Sequence, residues 1–158
     1  MRTKAVSLQL MIRIEPLTIA NWERVLSLRV EEEQQKFIPD NLFSIAQAKF
    51  EPQSEVLGIY KDQRLVGMMI VAYWAGVYWI SRIMIDQYEQ GNGYGTRAIE
   101  LAKKYIFDKR DVKAIRTSIA RENAVAEYVF YQNGFRRLGQ VDEREFTMEV
   151  EYKSQAEG

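Results

Sequence analysis

The chain has 158 residues, 47% of them hydrophobic and 12% aromatic, with 22 basic and 22 acidic residues and a formal net charge of zero. That is the length of one domain with enough apolar material for a core; the neutral balance argues against general nucleic-acid binding, and no apolar run reaches the roughly 18 residues that cross a bilayer. Histidine and cysteine are both absent, which excludes Ser-His-Asp and Cys-His machinery and His or Cys zinc sites, leaves acid–base work to Asp, Glu, Lys, Tyr, backbone or water, and fits a reducing cytoplasm.

The first ten residues lack an export signal, and Met11 begins a better strand than Met1 does. We expect one domain over residues 11–152, with residues 1–10 and 153–158 loosely held. Met11–Glu15 alternates apolar and polar and reads as a strand ended by Pro16. Thr18 reads as the cap of a helix whose face is Trp22, Val25, Leu26 and Arg29, running into Glu31-Glu32-Glu33-Gln34-Gln35. Those carboxylates are either a solvated face or an acidic rim for a cationic substrate. Phe37–Asn41 breaks the helix, and Ser44 with Gln47 reads as a capping box for a second one ending near Phe50.

Glu55–Tyr60 and Leu65–Tyr73 are strands of a hairpin turned at Lys61–Arg64. Val77–Ile85 is apolar at nearly every residue, which predicts a central strand covered on both faces, with Arg82 inside it either ion-paired or lining a cleft. Asp86 reads as a turn residue at the strand end. From Thr96 to Phe107 the apolar residues Ala98, Leu101, Ala102 and Tyr105 mark a helical face. Lys113–Ile119 is a strand, and Asn123 opens a helix stopped by Asn133-Gly134. Phe135–Val141 and Arg144–Glu151 are strands around Asp142-Glu143.

Between the apolar strand and its helix lies Gln90-Gly91-Asn92-Gly93-Tyr94-Gly95. Strand, glycine loop and helix in that order gather backbone N–H groups and the positive end of a helix dipole into one concavity, a place for phosphate. Glycines take φ > 0 and let a pyrophosphate approach the chain; the plainer alternative is a strand-to-helix turn without a ligand. A P-loop is ruled out because Thr96-Arg97 follows Gly95, and the dinucleotide fingerprint because its third glycine would fall at Thr96.

This order of elements, with Gln90, Gly93 and Gly95 filling Gln/Arg-x-x-Gly-x-Gly/Ala and Asn123, Gly134 and Phe135 filling a downstream Asn-helix-Gly-Phe signature, resembles the GNAT superfamily of acetyl-CoA-dependent N-acetyltransferases. Within it the chain is similar to bacterial diamine and spermine/spermidine acetyltransferases, through Gln34-x-x-Phe37-Ile38, Ser44–Ala48, Tyr78–Asp86 and Ala126-Glu127. The resemblance implies a mixed α/β (α+β) fold: a central, mostly antiparallel twisted sheet of six or seven strands, about four flanking helices, and a splay between the strand ending near Ile85 and Lys113–Ile119. It implies acetyl-CoA as cosubstrate without a metal, a small-molecule amine as partner, neither nucleic acid nor membrane, and a cytoplasmic location; homodimers are common in the superfamily.

For the cosubstrate, the resemblance assigns Met84 and Ile85 to the pantetheine arm and Gln90, Gly91, Asn92, Gly93, Tyr94, Gly95 and Thr96 to the pyrophosphate, with Asn123 and Phe130 on the second helix. An amine attacks the thioester directly, and the N–H near Ile85 polarises the carbonyl. The family's acid is a tyrosine four residues before the Gly of Gly-Phe; here that position is Phe130, and Tyr131 follows it about 100° round the helix. Tyr131 serves as acid only if the helix end is shifted, and is otherwise a surface residue. Glu33 is a candidate base, with Glu31, Glu32 and Asp40 beside it, and Trp79 joins Glu31, Glu32 and Asp40 as acceptor-binding candidates. Ser81 stands where polyamine-type relatives often carry Asp. The rival expectations are a peptide, lysine or antibiotic amine as acceptor, and an acyl-CoA-binding module without turnover.

Overall fold

The computed structural model describes residues 11–51, 53–109, 111–140 and 142–153. Seven strands, Ile12–Pro16 (β1), Ser54–Lys61 (β2), Arg64–Trp74 (β3), Val77–Ile85 (β4), Ala114–Ala120 (β5), Arg136–Gln140 (β6) and Glu145–Glu151 (β7), form one sheet in the order β1-β2-β3-β4-β5-β7-β6. Every neighbouring pair is antiparallel except β4 and β5. Parallel neighbours need a crossover, and the glycine loop with its helix supplies it. Among the described residues three α-helices flank the sheet, Asn41–Phe50 (α1), Tyr94–Lys109 (α2) and Ala124–Gln132 (α3), with 3-10 turns at Trp22–Ser27, Glu32–Gln34 and Gln87–Glu89. The expectations for residues 1–10 and 154–158 and for Val141 lie outside the described residues.

The hairpin turns have the backbone that right-twisted strands require. Trp74 pairs with Val77, and the two residues between them, Ala75 and Gly76, have φ of 51° and 80°. Apolar side chains then form two cores. Ile80, Ala98, Ile99, Ala102, Ile115 and Phe135 belong to the one under α2, and Val25, Tyr60, Leu65, Met68 and Met84 to the other, under the 3-10 turn that carries Val25.

Three local expectations are corrected. The helix from Thr18 to Gln35 is instead two 3-10 turns separated by extended residues, with Leu28 at ψ 134° and Glu31 at ψ 152°. Tertiary bonds take the backbone groups a helix would have used: Asn41 Nδ2 donates to the Val25 carbonyl (2.8 Å), Arg29 N–H to Asp86 Oδ1 (2.9 Å), and Gln87 N–H to the Arg29 carbonyl (2.7 Å). This leaves three α-helices among the described residues where about four were expected. The cap of α1 is Asp40, whose Oδ1 accepts from Phe43 N–H (2.8 Å), whereas Ser44 lies inside the helix and donates to the Asp40 carbonyl (2.9 Å). Finally, β4 is not covered on both faces. Of its residues only Ile80 and Met84 are buried, while β3 is buried at every position from Leu65 to Ala72. The open edge of β4 explains the difference.

Asp86 fulfils its expected role as a turn residue. Its carboxylate takes the Arg29 and Tyr88 N–H groups at the strand's end.

Candidate active site

β4 and β5 pair only at Tyr78↔Ile115 and Trp79↔Arg116. The Thr117 hydroxyl donates to the Ile80 carbonyl (2.9 Å), and beyond that point the strands part. On its other side β4 stays on β3 to Ile85, with a bulge: Ile70 faces Arg82 and Val71 faces Ile80, so Ser81 is the extra residue. The bulge resets the alternation. Ile83 and Ile85 pack into the α2 core, whereas Arg82 Nη1 donates to Ser44 Oγ (2.9 Å) and Met84 sulfur accepts from Asn41 (3.6 Å), both on α1. Asp86 N–H donates to the Val66 carbonyl (2.8 Å), so alternation turns the N–H and C=O of Ile85 away from β3, toward the gap.

The glycine loop stands at the end of this gap. Gly91 and Gly93 have φ of 80° and 79°, and a Cβ on either would meet nothing within 4 Å. Backbone conformation, not crowding, requires glycine at these two places. Gly95 lies in the first turn of α2 and is not in the positive-φ region; a Cβ there would sit 3.7 Å from Ile85 Cγ1. The first-turn N–H groups of α2, from Tyr94 through Thr96, have no partner within the helix. The loop is braced from outside. Arg64 forms two bonds to the Glu89 carboxylate (2.7 and 3.0 Å), Asn92 Nδ2 donates to the Glu89 carbonyl (3.0 Å), and Gln90 Nε2 donates to Gln34 Oε1 (2.8 Å) and to the Ile85 carbonyl (2.9 Å). Positive φ, open space before the loop and free helix N–H groups fit a diphosphate.

Two cavities adjoin the α1 side. One of about 500 Å³ lies under residues 26–30 and 38–42 and reaches Met84. The second, about 380 Å³, is lined by Phe50 and Glu51 at the end of α1, Trp74 and Trp79 of the β3–β4 hairpin, and Ser81 and Ser118 on the two strands that part. Trp74 and Trp79 meet edge-on with centroids 6.4 Å apart. Ser118 Oγ donates to Glu145 Oε2 on β7 (2.7 Å).

The sequence model of the acetyltransferase (GNAT) family matches residues 22–135. The chain belongs to the GNAT acetyltransferase family. It is 25% identical over 139 residues to the spermine/spermidine N(1)-acetyltransferase of Bacillus subtilis, covering 83% of this chain and 91% of that one. Its fold superposes on the spermidine N-acetyltransferase of Vibrio cholerae, solved with CoA and spermine, with a TM-score of 0.71, 17% identity, and 89% and 95% of the two chains covered. The aminoglycoside acetyltransferase AAC(6')-Ib, solved with coenzyme A, gives 0.73 at 13% identity, with 89% and 94% covered. As a GNAT protein the chain is an acyltransferase with a mostly antiparallel sheet, as expected, and the expected splay is the parting of β4 from β5.

Other predicted site residues of this GNAT domain fall in separate places. Thr96 offers its carbonyl to Asn133 Nδ2 (3.2 Å), which ties the start of α2 to the end of α3. Asn123 caps α3 through Ala126 N–H (3.2 Å). Phe130 is 3% exposed and packs edge-on against Phe135, while Tyr131 is 51% exposed under the Arg136 guanidinium, 3.9 Å from its ring. α3 runs unbroken through both residues, so nothing rotates Tyr131 into the place of Phe130. Glu31, Glu32 and Glu33 are exposed and line neither cavity; Asp40 lines the larger one while capping α1. Trp79 lines the smaller. Arg82 bonds a neutral hydroxyl and, among the described residues, forms no ion pair; burial lowers its pKa and the field of Glu51 partly offsets that. Among the described residues no group of three His, Cys, Asp or Glu side chains is placed to hold a metal ion.

Sequence reasoning did not single out Phe50, Trp74 and Ser118, which line the smaller cavity, or Glu145, which bonds Ser118. Trp74 beside a hairpin turn is the only local signal among them. The other three come together only when α1, β5 and β7 do.

Proposed function

We propose that this chain is an acetyl-CoA-dependent N-acetyltransferase that acts on a primary amine by direct attack, without a covalent enzyme intermediate. The observation that carries this reading is the open edge of β4: the Ile85 N–H faces a gap that has the glycine loop at one end and the smaller cavity on its α1 side. Bound acetyl-CoA supplies the thioester to be attacked. Loop N–H groups from Gly91 to Gly95 and the first turn of α2 hold its diphosphate, and the edges of Met84 and Ile85 hold its amide-bearing arm. The same alternation turns the Ile83 N–H toward the gap as well, two residues nearer Ser81, and an N–H fixed there is a preorganised donor to the thioester oxygen as charge develops on it. Gln90 keeps the Ile85 carbonyl engaged and holds the end of β4 in place.

The amine enters through the cavity at Ser81 and Ser118. Its surplus proton passes to Ser118 Oγ while the Ser118 proton moves to Glu145, which is exposed and returns it to water. The carboxylates at 31–33 are not on this path. Phe130 and Tyr131 bring no hydroxyl to the gap, so solvent protonates the departing thiolate. Glu145→Gln is expected to lower kcat/KM for the amine by about 100-fold near neutral pH, moving the rise of activity to higher pH, with acetyl-CoA affinity unchanged. A pH–rate profile identical to that of the parent chain removes Glu145 from the path.

Diamines and polyamines are the acceptors suggested by the name of the B. subtilis relative and by the sequence likeness, and among the described residues Glu51 is the one carboxylate in the cavity lining. The missing hydroxyl at Phe130 favours a second reading, an acyl-CoA-binding module without turnover. Free thiol released from acetyl-CoA on adding amines, measured beside calorimetric acetyl-CoA binding, separates the two. Saturable release with at least one amine is expected; binding without release from any amine favours the module.

A further inference from the structure

The transfer reading leaves open what the smaller cavity recognises, and its walls have a chemistry of their own. Phe50 and Trp74 are 85% and 68% exposed, an unusual exposure for two aromatic side chains that share a cavity with a third, Trp79. Contiguous exposed apolar surface around a concavity with a few polar groups is the usual form of a ligand site. The polar groups here are few: the Ser81 and Ser118 hydroxyls at the strand parting, and the Ser54 hydroxyl, which donates to the Glu51 carboxylate (3.5 Å). Ser81 Oγ already donates to the Ile70 carbonyl (3.3 Å) and Ser118 Oγ to Glu145, so their free lone pairs accept from a ligand N–H.

Few charges surround the cavity. Arg82 lies beside Ser81 on the α1 side of β4, its guanidinium over the Phe43 ring at 5.7 Å, and Glu51 is the carboxylate whose field acts on it. On the β5–β7 side Arg116 is bonded to Glu149 (2.7 Å). Each ammonium brought into an apolar site needs a partner; among the described residues the carboxylates at hand are Glu51 in the lining, in the field of Arg82, and Glu145 behind Ser118, enough for one ammonium and not for a chain of three or four. Aromatic rings arranged edge to face instead present apolar surface with the geometry in which a third ring packs well.

Resting on the acyl-transfer reading, we propose that the cavity takes a primary amine with one ammonium group on an aromatic or bulky apolar body. The body lies against Phe50, Trp74 and Trp79, and the amine lies at Ser81 and Ser118. Acetylation removes the ammonium charge, and the product leaves as a neutral, apolar amide.

The test compares tryptamine and 2-phenylethylamine with putrescine, spermidine and spermine on the full chain, by thiol release from acetyl-CoA and, separately, by calorimetric binding of each amine in the presence of CoA. Tryptamine is expected to bind at least about tenfold more tightly than spermidine and to show a kcat/KM at least about tenfold higher. Trp74→Ala and Phe50→Ala, both at exposed positions, should each cut that preference at least fivefold with Tm unchanged. Tighter binding of spermidine or spermine, or a preference that neither variant alters, overturns the proposal and leaves acyl transfer intact. Tryptamine binding that is preferred and Trp74-dependent but gives no thiol release upholds the cavity's ligand class and fails the transfer reading instead.

Discussion

Gly93→Glu is expected to weaken acetyl-CoA binding at least 100-fold, about 2.7 kcal/mol, while Gly93→Ala costs far less. The difference between the two separates backbone from charge. Gly93 has φ of 79°, so any L side chain strains the loop by about 1–2 kcal/mol. Nothing lies within 4 Å of a Cβ there, so alanine adds strain without a clash. Glutamate adds the same strain and a negative charge in the open space where a diphosphate meets the α2 dipole. Like charges at about 5 Å repel by roughly 3 kcal/mol at an effective dielectric constant near 20. Calorimetry with acetyl-CoA on both variants makes the measurement, with Tm as a check that both fold. If Gly93→Glu binds acetyl-CoA within threefold of Gly93→Ala, the glycine loop is not the diphosphate site, and the match to the Gln-x-x-Gly-x-Gly spacing has no such meaning here.

What the sequence discloses follows the range of the interactions behind it. The glycine loop, the Asn123 cap and the Gly134 stop are local devices, each decided by residues within a few positions, and each stands where its spacing placed it. So does the phase of α3: a regular helix cannot offer both Phe130 and Tyr131 to one site, and the buried ring is Phe130. The strands were visible because apolar runs between turn residues are local too. The stretch from Thr18 to Gln35 failed because its carbonyl and amide partners, Asn41, Asp86 and Gln87, lie 13 to 58 positions away, and a periodic apolar face alone does not outbid bonds of that kind. The over-covered reading of Val77–Ile85 has a related origin. Apolar residues on β4 are called for by the α2 core and by the walls of a gap alike, and composition does not distinguish a wall from a core. The smaller cavity was the least legible part, since Phe50, Trp74 and Ser118 are brought together by three elements distant in sequence.

Gly67 shows the same limit from the other direction, and its substitution is expected to have the largest effect on stability. Nothing about Leu65-Val66-Gly67-Met68 marks it as special, since a lone glycine inside a strand pattern signals only a bulge or a close approach. In the sheet Gly67 pairs with Ile85, and a Cβ built on it would overlap the Met84 carbonyl oxygen and stand 2.9 Å from Ile85 Cδ1. The Ile85 side chain can turn, but a backbone oxygen held in the β3–β4 ladder cannot move without shifting the strand. Gly67→Ala is therefore expected to destabilise the fold by about 2–3 kcal/mol, as overpacking of a tight core does, lowering Tm by about 5–12 °C for a chain of this size. The shift falls on the last residues of β4, where the Ile85 N–H faces the gap. Among molecules still folded, kcat should fall about 100-fold, the usual cost of misplacing a catalytic donor by about 1 Å, while acetyl-CoA affinity, carried mainly by the glycine loop, changes little. Thermal unfolding and steady-state kinetics below the transition measure the two effects. A Tm within 2 °C of the parent would mean that β4 accommodates the methyl freely; a lowered Tm with unchanged kcat would mean that the position of Ile85 is not what the transfer step depends on.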